Sequence, residues 1–165
     1  MVIQALDLTK KYNPKVAALN HISLSIDTGI FGLLGKNGSG KTTLMRIITT
    51  LLTPTNGTVS ILGMEATKAN QEEIKRNIGY LPQEFGFYKD FTVSEIMQYM
   101  CLLRGTEKSA QKTIIQNALE KVNLTGHSKK KYKQLSGGMK RRVGLAQAIM
   151  HSPPILIVDE PTAGV

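Results

Sequence analysis

The chain has 165 residues, of which 41% are hydrophobic and 20% charged, a composition that excludes a disordered polyelectrolyte and suits one ordinary globular domain. No apolar run approaches the roughly 20 residues that span a bilayer, and a single cysteine, Cys101, excludes an internal disulfide or a cysteine-based zinc site. The net charge is +9, but its placement says more than its total: Lys121 to Val158 holds eight basic residues and no acidic one, so that stretch carries +8 and the remainder +1. A basic total invites nucleic acid as a partner; a surplus packed into one stretch asks instead which anion that face meets. The first residues, Met1 to Tyr12, carry no basic-then-apolar leader pattern, so a cytosolic chain is expected.

In chain order, Val2 to Leu8 reads as a strand followed by a turn through Lys10 to Pro14. Ile22, Leu24 and Ile26 alternate with serines, the period of a half-buried strand. Asp27-Thr28-Gly29 turns the chain, and Ile30 to Leu34 is apolar on both sides, as a central strand would be. Leu44, Ile47, Ile48 and Leu51 fall at helical spacing; Pro54, Asn56 and Gly57 end that helix before a strand at Thr58 to Leu62. Ile78 to Leu81 predicts another short strand. Thr92-Val93-Ser94-Glu95 is a capping box opening a helix with Val93, Ile96, Met97 and Met100 on one face. Ile114, Ile115, Ala118, Leu119 and Val122 mark a second helix, and Val143, Ala146 and Met150 a third, which Pro153 and Pro154 end before a buried strand at Ile155 to Val158. The order predicts an α/β fold: one domain over 1–165, with a core from 1–83 and 151–165 and a helical subdomain over 84–150.

Gly35-Lys36-Asn37-Gly38-Ser39-Gly40-Lys41-Thr42 fits the spacing G-x-x-x-x-G-K-[ST] between a predicted strand and a predicted helix. Glycines allow the backbone to fold around phosphate oxygens, and successive N–H groups at the helix start point at the anion. Lys41 reaches the β- and γ-phosphates of a nucleoside triphosphate, the Thr42 hydroxyl ligates Mg²⁺, and Thr43 continues the cradle. Asp159 and Glu160 directly follow an apolar strand, where one carboxylate holds Mg²⁺ and its neighbour polarises the attacking water. Two solvated carboxylates at a strand end are the plain alternative.

Leu135-Ser136-Gly137-Gly138-Met139-Lys140-Arg141-Arg142 resembles the signature sequence of ATP-binding-cassette (ABC) ATPases. The resemblance covers essentially the whole chain and implies a phosphate-loop NTPase (RecA-like) core sheet with an antiparallel portion and an inserted helical subdomain. It implies ATP and Mg²⁺ as ligands, Tyr12 stacked on adenine, Gln83 reaching the metal and the attacking water, Asp159 holding the metal and Glu160 as the catalytic carboxylate. Ser136, Gly137 and Gly138 would face the γ-phosphate held by a second subunit in a head-to-tail dimer. The partners implied are that second subunit and a separate transmembrane permease, which would hold the chain on the cytoplasmic face of the membrane; nucleic acid is not expected.

Met139, where glutamine is usual, with Lys140-Arg141-Arg142 resembles the subset serving drug and bacteriocin exporters. Phe85, Phe87, Tyr88 and Phe91 lie where the family forms a groove for a coupling helix, although a core role suits these rings equally. Lys129-Lys130-Lys131-Tyr132-Lys133 reads as a solvated loop, with anionic lipid or nucleic acid as alternatives. Pro161 to Gly164 opens the segment towards the D-loop, but its aspartate, the last strands and the H-loop histidine have no counterpart here. A truncated chain that binds nucleotide and hydrolyses it poorly is therefore a second expectation. A soluble, non-transport cassette is a third, disfavoured because no heptads run between Thr42 and Leu135.

Overall fold

The computed structural model describes residues 1–159, and the chain divides into two compact units at the Asn77–Ile78 boundary. In the first, β1 (Ile3–Asn13), β2 (Val16–Ile26), β3 (Asn56–Ile61) and β4 (Met64–Glu65) form an antiparallel sheet in the order β2-β1-β3-β4. The helices α1 (Lys41–Ile48) and α2 (Gln71–Asn77) belong to the same unit. Ile3 and Ala5 on β1 face Ile61 and Val59 on β3, and all four are buried. Beyond Ala5 the register shifts at Asp7, whose φ of 52° lies in the left-handed region, and the buried series resumes out of phase at Leu8. His21, also at positive φ, hydrogen-bonds the Asp7 carboxylate through Nδ1 at 2.7 Å, pinning the bulge from the facing strand.

The first hairpin runs further than its sequence suggests. Lys10 to Asn13 continue β1 where a turn was expected, because the Asn13 side chain closes a turn at Pro14–Lys15 by accepting from the N–H groups of Lys15 and Val16. On α1, Leu44, Ile47 and Ile48 are buried as the spacing predicts, but the helix ends at Ile48 and leaves Leu51 exposed. The N–H groups of Leu51 and Leu52 both return to the Arg46 carbonyl, with Thr50 at positive φ. The apolar segment Ile30 to Leu34 is not a strand in this structure: Ile30 and Leu34 are almost fully exposed. No described strand lends it a ladder, and an apolar run is a strand only when its backbone groups find a partner edge.

In the second unit, β5 (Ile78–Leu81) and β6 (Ile155–Val158) pair in parallel, with Ile78 opposite Ile155 and Leu81 opposite Val158. The helices α3 (Val93–Leu103), α4 (Lys108–Lys121) and α5 (Gly137–Ile149) enclose a core of Val93, Ile96, Met97, Ile115, Leu119, Val143 and Ala146, among others. Thr92 and Glu95 close the expected capping box: the Glu95 N–H donates to Thr92 Oγ1 at 3.2 Å and the Thr92 N–H to Glu95 Oε2 at 2.7 Å. That backbone donor, above all, holds the Glu95 carboxyl below its usual range. Cys101 is buried as a packed helix residue. Among the described residues, no helix is long and apolar enough to cross a membrane.

α5 lies unusually close to β5. A Cβ on Gly79 would collide with the Ala148 carbonyl oxygen, and one on Gly144 would fall 2.8 Å from Leu81 Cδ1 and 2.7 Å from the Phe85 ring. A Gly79→Ala variant is expected to lose about 2 kcal/mol or more of stability in urea unfolding, since the obstacle is backbone that cannot step aside. Gly126→Ala, with nothing within 4 Å of its Cβ position, is expected to stay within about 0.5 kcal/mol of the parent.

Candidate functional site

In the first unit the loop Gly35 to Ser39 is exposed and, through a half-buried Gly40, delivers the chain into α1 at Lys41. Gly40 is the N-cap with φ 92°, and a Cβ there would overlap the Ala18 carbonyl, so the loop is pressed against β2. Being glycine, this cap offers no side chain to the first N–H groups of α1, which leaves the donors of Lys41, Thr42 and Thr43 to be met from outside. The Lys41 ammonium folds back over the loop, donating to the carbonyls of Gly35 at 2.7 Å and Lys36 at 2.9 Å. An ammonium has three N–H donors, so one is left for an incoming anion while the other two fix the loop's curvature. Ser39 N–H to Lys36 O, at 3.2 Å, completes that turn around Asn37 and Gly38.

Tyr12 reaches this loop from the end of β1. Its hydroxyl lies 3.3 Å from Thr43 Oγ1, its ring stays 58% exposed, and the Lys10 ammonium sits 5.8 Å from the ring centroid. The structure thus brings Tyr12 to the start of α1, leaving the ring free for stacking. The hydroxyl contact to Thr43 is not legible in the sequence, where the two residues stand 31 apart.

In the second unit Asp159 closes β6. It is 1% exposed, its N–H bonds the Leu81 carbonyl at 2.9 Å, and its own carbonyl accepts from Arg141 Nη2 at 3.2 Å. Its Oδ2 is buried with no hydrogen-bond partner. A buried carboxylate oxygen without a partner is costly, and a hard divalent cation such as Mg²⁺, which takes oxygen ligands, is a group that relieves it. Gln83 is exposed just beyond β5. Glu160 and Pro161 to Gly164 lie outside the described residues.

Ser136 caps α5: its Oγ accepts from the Met139 N–H at 3.2 Å, with the backbone extended at ψ 165°. Gly137 and Gly138 open the helix, are exposed, and have nothing within 4 Å of their Cβ positions. Unlike Gly79 and Gly144, they are not demanded by this chain's own packing, and glycine costs about 1 kcal/mol in a helix relative to alanine. Met139 packs against the helical core. Arg141, one turn into α5, ties the signature helix to the Asp159 backbone, a contact that sequence reasoning missed because nothing in an arginine 18 residues upstream of a strand end announces it.

The aromatic residues divide between core and surface. Phe87 stacks edge-on to Tyr132 at 5.5 Å, whereas Tyr88 and Phe91, 5.1 Å apart, are exposed. Gly86, Phe87, Tyr88, Phe91, Tyr99 and Met100 line an open groove of about 400 Å³. Tyr99 was not picked out from the sequence; the signal was an aromatic off the apolar face of α3.

Because Asp159 Oδ2 is buried without a hydrogen-bond partner, Asp159→Asn should raise stability by about 1 kcal/mol in chelator-treated protein. The same substitution should abolish the stabilisation that added Mg²⁺ gives the parent, both read from thermal melts with and without the cation.

A family model described as ABC transporter matches residues 19–163. The chain is 39% identical over 164 residues to the bacitracin transport ATP-binding protein BcrA of Bacillus licheniformis, covering 99% of this chain and 52% of that one. It is 40% identical over 150 residues to the methionine import ATP-binding protein MetN of Bifidobacterium longum, covering 88% and 37%. The chain thus spans about half or less of the length of these curated relatives. Among solved structures it is similar to the dimeric post-hydrolysis state of the ATP-binding cassette MJ0796 bound to ADP and Pi, with a TM-score of 0.87 and 28% identity, covering 99% of this chain and 75% of that one.

Proposed function

The chain belongs to the ABC transporter family, and on that premise we propose that it is the ATP-hydrolysing part of a transporter whose membrane subunit is a separate polypeptide. The reaction is hydrolysis of ATP to ADP and phosphate, with the binding and release of ATP closing and opening a head-to-tail dimer. The observation that carries this reading is the start of α1: an uncapped helix terminus after Gly40, with the Lys41 ammonium already drawn across the loop. Backbone N–H groups and a fixed cation there match a triphosphate's charge without reorganisation.

Residues 35–43 hold the phosphates, and the exposed face of Tyr12 stacks on the base. Thr42, Gln83 and Asp159 would hold Mg²⁺, which would supply positive charge to offset that developing on the phosphate oxygens. Glu160, with Gln83 positioning the attacking water, draws off its proton as the bond to the γ-phosphorus forms and the β–γ bridging oxygen leaves with ADP. Ser136, Gly137 and Gly138 of one protomer close over the γ-phosphate bound by the other. Two observations support that role: the glycines' Cβ positions are open, and the stretch from Lys121 to Val158 is free of acids. The groove at Tyr88, Phe91 and Tyr99 takes an apolar element of the membrane subunit, which places the protein on the cytoplasmic side of the membrane through that contact. Export is the direction favoured by Met139 to Arg142 and by the bacitracin-transport relative; the methionine-import relative makes import the outcome that would revise it.

The reading is tested by nucleotide binding and phosphate release on the full-length protein. Lys41→Ala is expected to weaken ATP binding and lower turnover at least about 100-fold. Glu160→Gln is expected to keep ATP affinity while losing turnover. Equal turnover in parent and Lys41→Ala would contradict the assignment, and binding without turnover in the parent would mark a nucleotide-binding protein rather than a motor.

A further inference from the structure

Tyr12 stands one residue from the end of β1, yet this strand end is fastened to segments at both ends of α1. The Thr55 N–H donates to the Thr9 carbonyl at 2.8 Å, and the Lys11 N–H returns to Thr55 Oγ1 at 3.0 Å. These two bonds set the main chain around Lys10 against the segment that links α1 to β3. Lys10 and Tyr12, two apart on a strand, project from the same side, and the Lys10 ammonium lies over the Tyr12 ring, 5.8 Å from its centroid. That ammonium is itself anchored, donating to the Thr53 carbonyl at 2.7 Å. At the far edge of the ring, the Tyr12 hydroxyl lies 3.3 Å from Thr43 Oγ1 in the first turn of α1. Thr43 is buried, while Tyr12 stays exposed.

An exposed tyrosine has two free side-chain torsions, and a base that stacks on it must pay for ordering both. Tying the hydroxyl to a buried threonine and laying an anchored cation over the ring removes part of that cost before any base arrives. An ammonium is drawn to the negative quadrupole of one ring face. By offsetting it, the cation leaves the opposite face better suited to an electron-rich purine. The same contacts do little for the fold itself, because they bury little of the ring. They set a direction rather than fill a core.

We propose that Lys10 and Thr43 are positioning residues, which hold the Tyr12 ring in the orientation on which a purine base stacks. The proposal deepens the nucleotide-binding reading above and rests on it. Thr43 serves twice: its N–H is among the donors at the start of α1, and its hydroxyl tethers the ring. The base end and the phosphate end of one nucleotide thereby meet in a single residue. Lys10 acts through the ring, since its ammonium is committed to the Thr53 carbonyl and to the ring face.

The test compares two ligands on the full-length protein by titration calorimetry: ATP, and ribose 5-triphosphate, which lacks the base alone. The ratio of their affinities isolates what the base contributes. Tyr12→Phe keeps the ring and loses the tether, and the ratio is expected to fall about fivefold. Lys10→Gln should lower it about threefold, whereas Lys10→Arg, which keeps a cation over the ring, should retain the parent ratio. Thr43→Val should match Tyr12→Phe, and the two together should be no worse than either alone, since a single contact is lost once. A parent ratio in Tyr12→Phe or in Lys10→Gln overturns the proposal. Equal losses of both ligands in Lys10→Gln also overturn it, marking Lys10 as a general attractor of anions. If Tyr12→Ala lowers the ratio about 30-fold while Tyr12→Phe leaves it intact, the stacking reading stands and the positioning is refuted. A parent that binds both ligands equally refutes the stacking reading, and the positioning with it.

Discussion

The placement of Ser136 to Gly138 and of Asp159 in the second unit depends on how closely α5 can lie against β5. Gly79 and Gly144 remove the two side chains that would hold the helix off the sheet, one facing the Ala148 carbonyl and the other Leu81 and Phe85. Close packing of this kind sets positions to a fraction of an ångström, because interiors have no slack to absorb a shift. From that seat, α5 presents Ser136 to Gly138 at its start. One turn later, Arg141 reaches the carbonyl of Asp159, while β5 takes the N–H of the same residue through Leu81. The strand end that carries the Asp159 carboxylate is thus held from both sides by hydrogen bonds to its main chain, and its Oδ2 is left over.

The first unit solves the matching problem with the same residue type. Gly40 lets the phosphate loop lie on β2 and enter α1 without a capping side chain, so orphan N–H groups and the Lys41 ammonium share one opening. A stabilising serine or aspartate cap would occupy the very donors that an anion needs. Both sites therefore keep unmet polar groups that a purely structural design would have satisfied: donors at α1, an acceptor at Asp159. Such local violations of good packing chemistry are where function is expected to sit.

Much of this was legible beforehand, and what was missed has a common cause. The apolar faces of α1, α3, α4 and α5, the Thr92–Glu95 box and the strand at Ile155 to Val158 are encoded by short-range spacing, which survives in one dimension. The phosphate loop and the family resemblance were legible for the same reason. Ile30 to Leu34 shows the limit: its composition predicts burial, but strand identity belongs to the partner ladder, and no described strand supplies one. The short helix α2 was invisible because a single buried residue, Ile74, sets no period. The Arg141–Asp159 and Tyr12–Thr43 contacts join residues far apart in the chain, and side-chain type alone does not reveal such pairings. The two glycine classes were likewise indistinguishable in sequence: Gly79 and Gly144 serve this chain's packing, whereas Gly137 and Gly138 meet nothing within it.

The central claim is that Ser136 to Gly138 of one copy complete the ATP site of another. The most direct measurement is the solution mass of the full-length Glu160→Gln protein by light scattering, with and without ATP. The account predicts a monomer that becomes a dimer on adding ATP, and no such change when Gly138→Asp is added, since a carboxylate there would meet the γ-phosphate. A mass unaffected by ATP, or a dimer that forms equally well with the Gly138→Asp substitution, would contradict it.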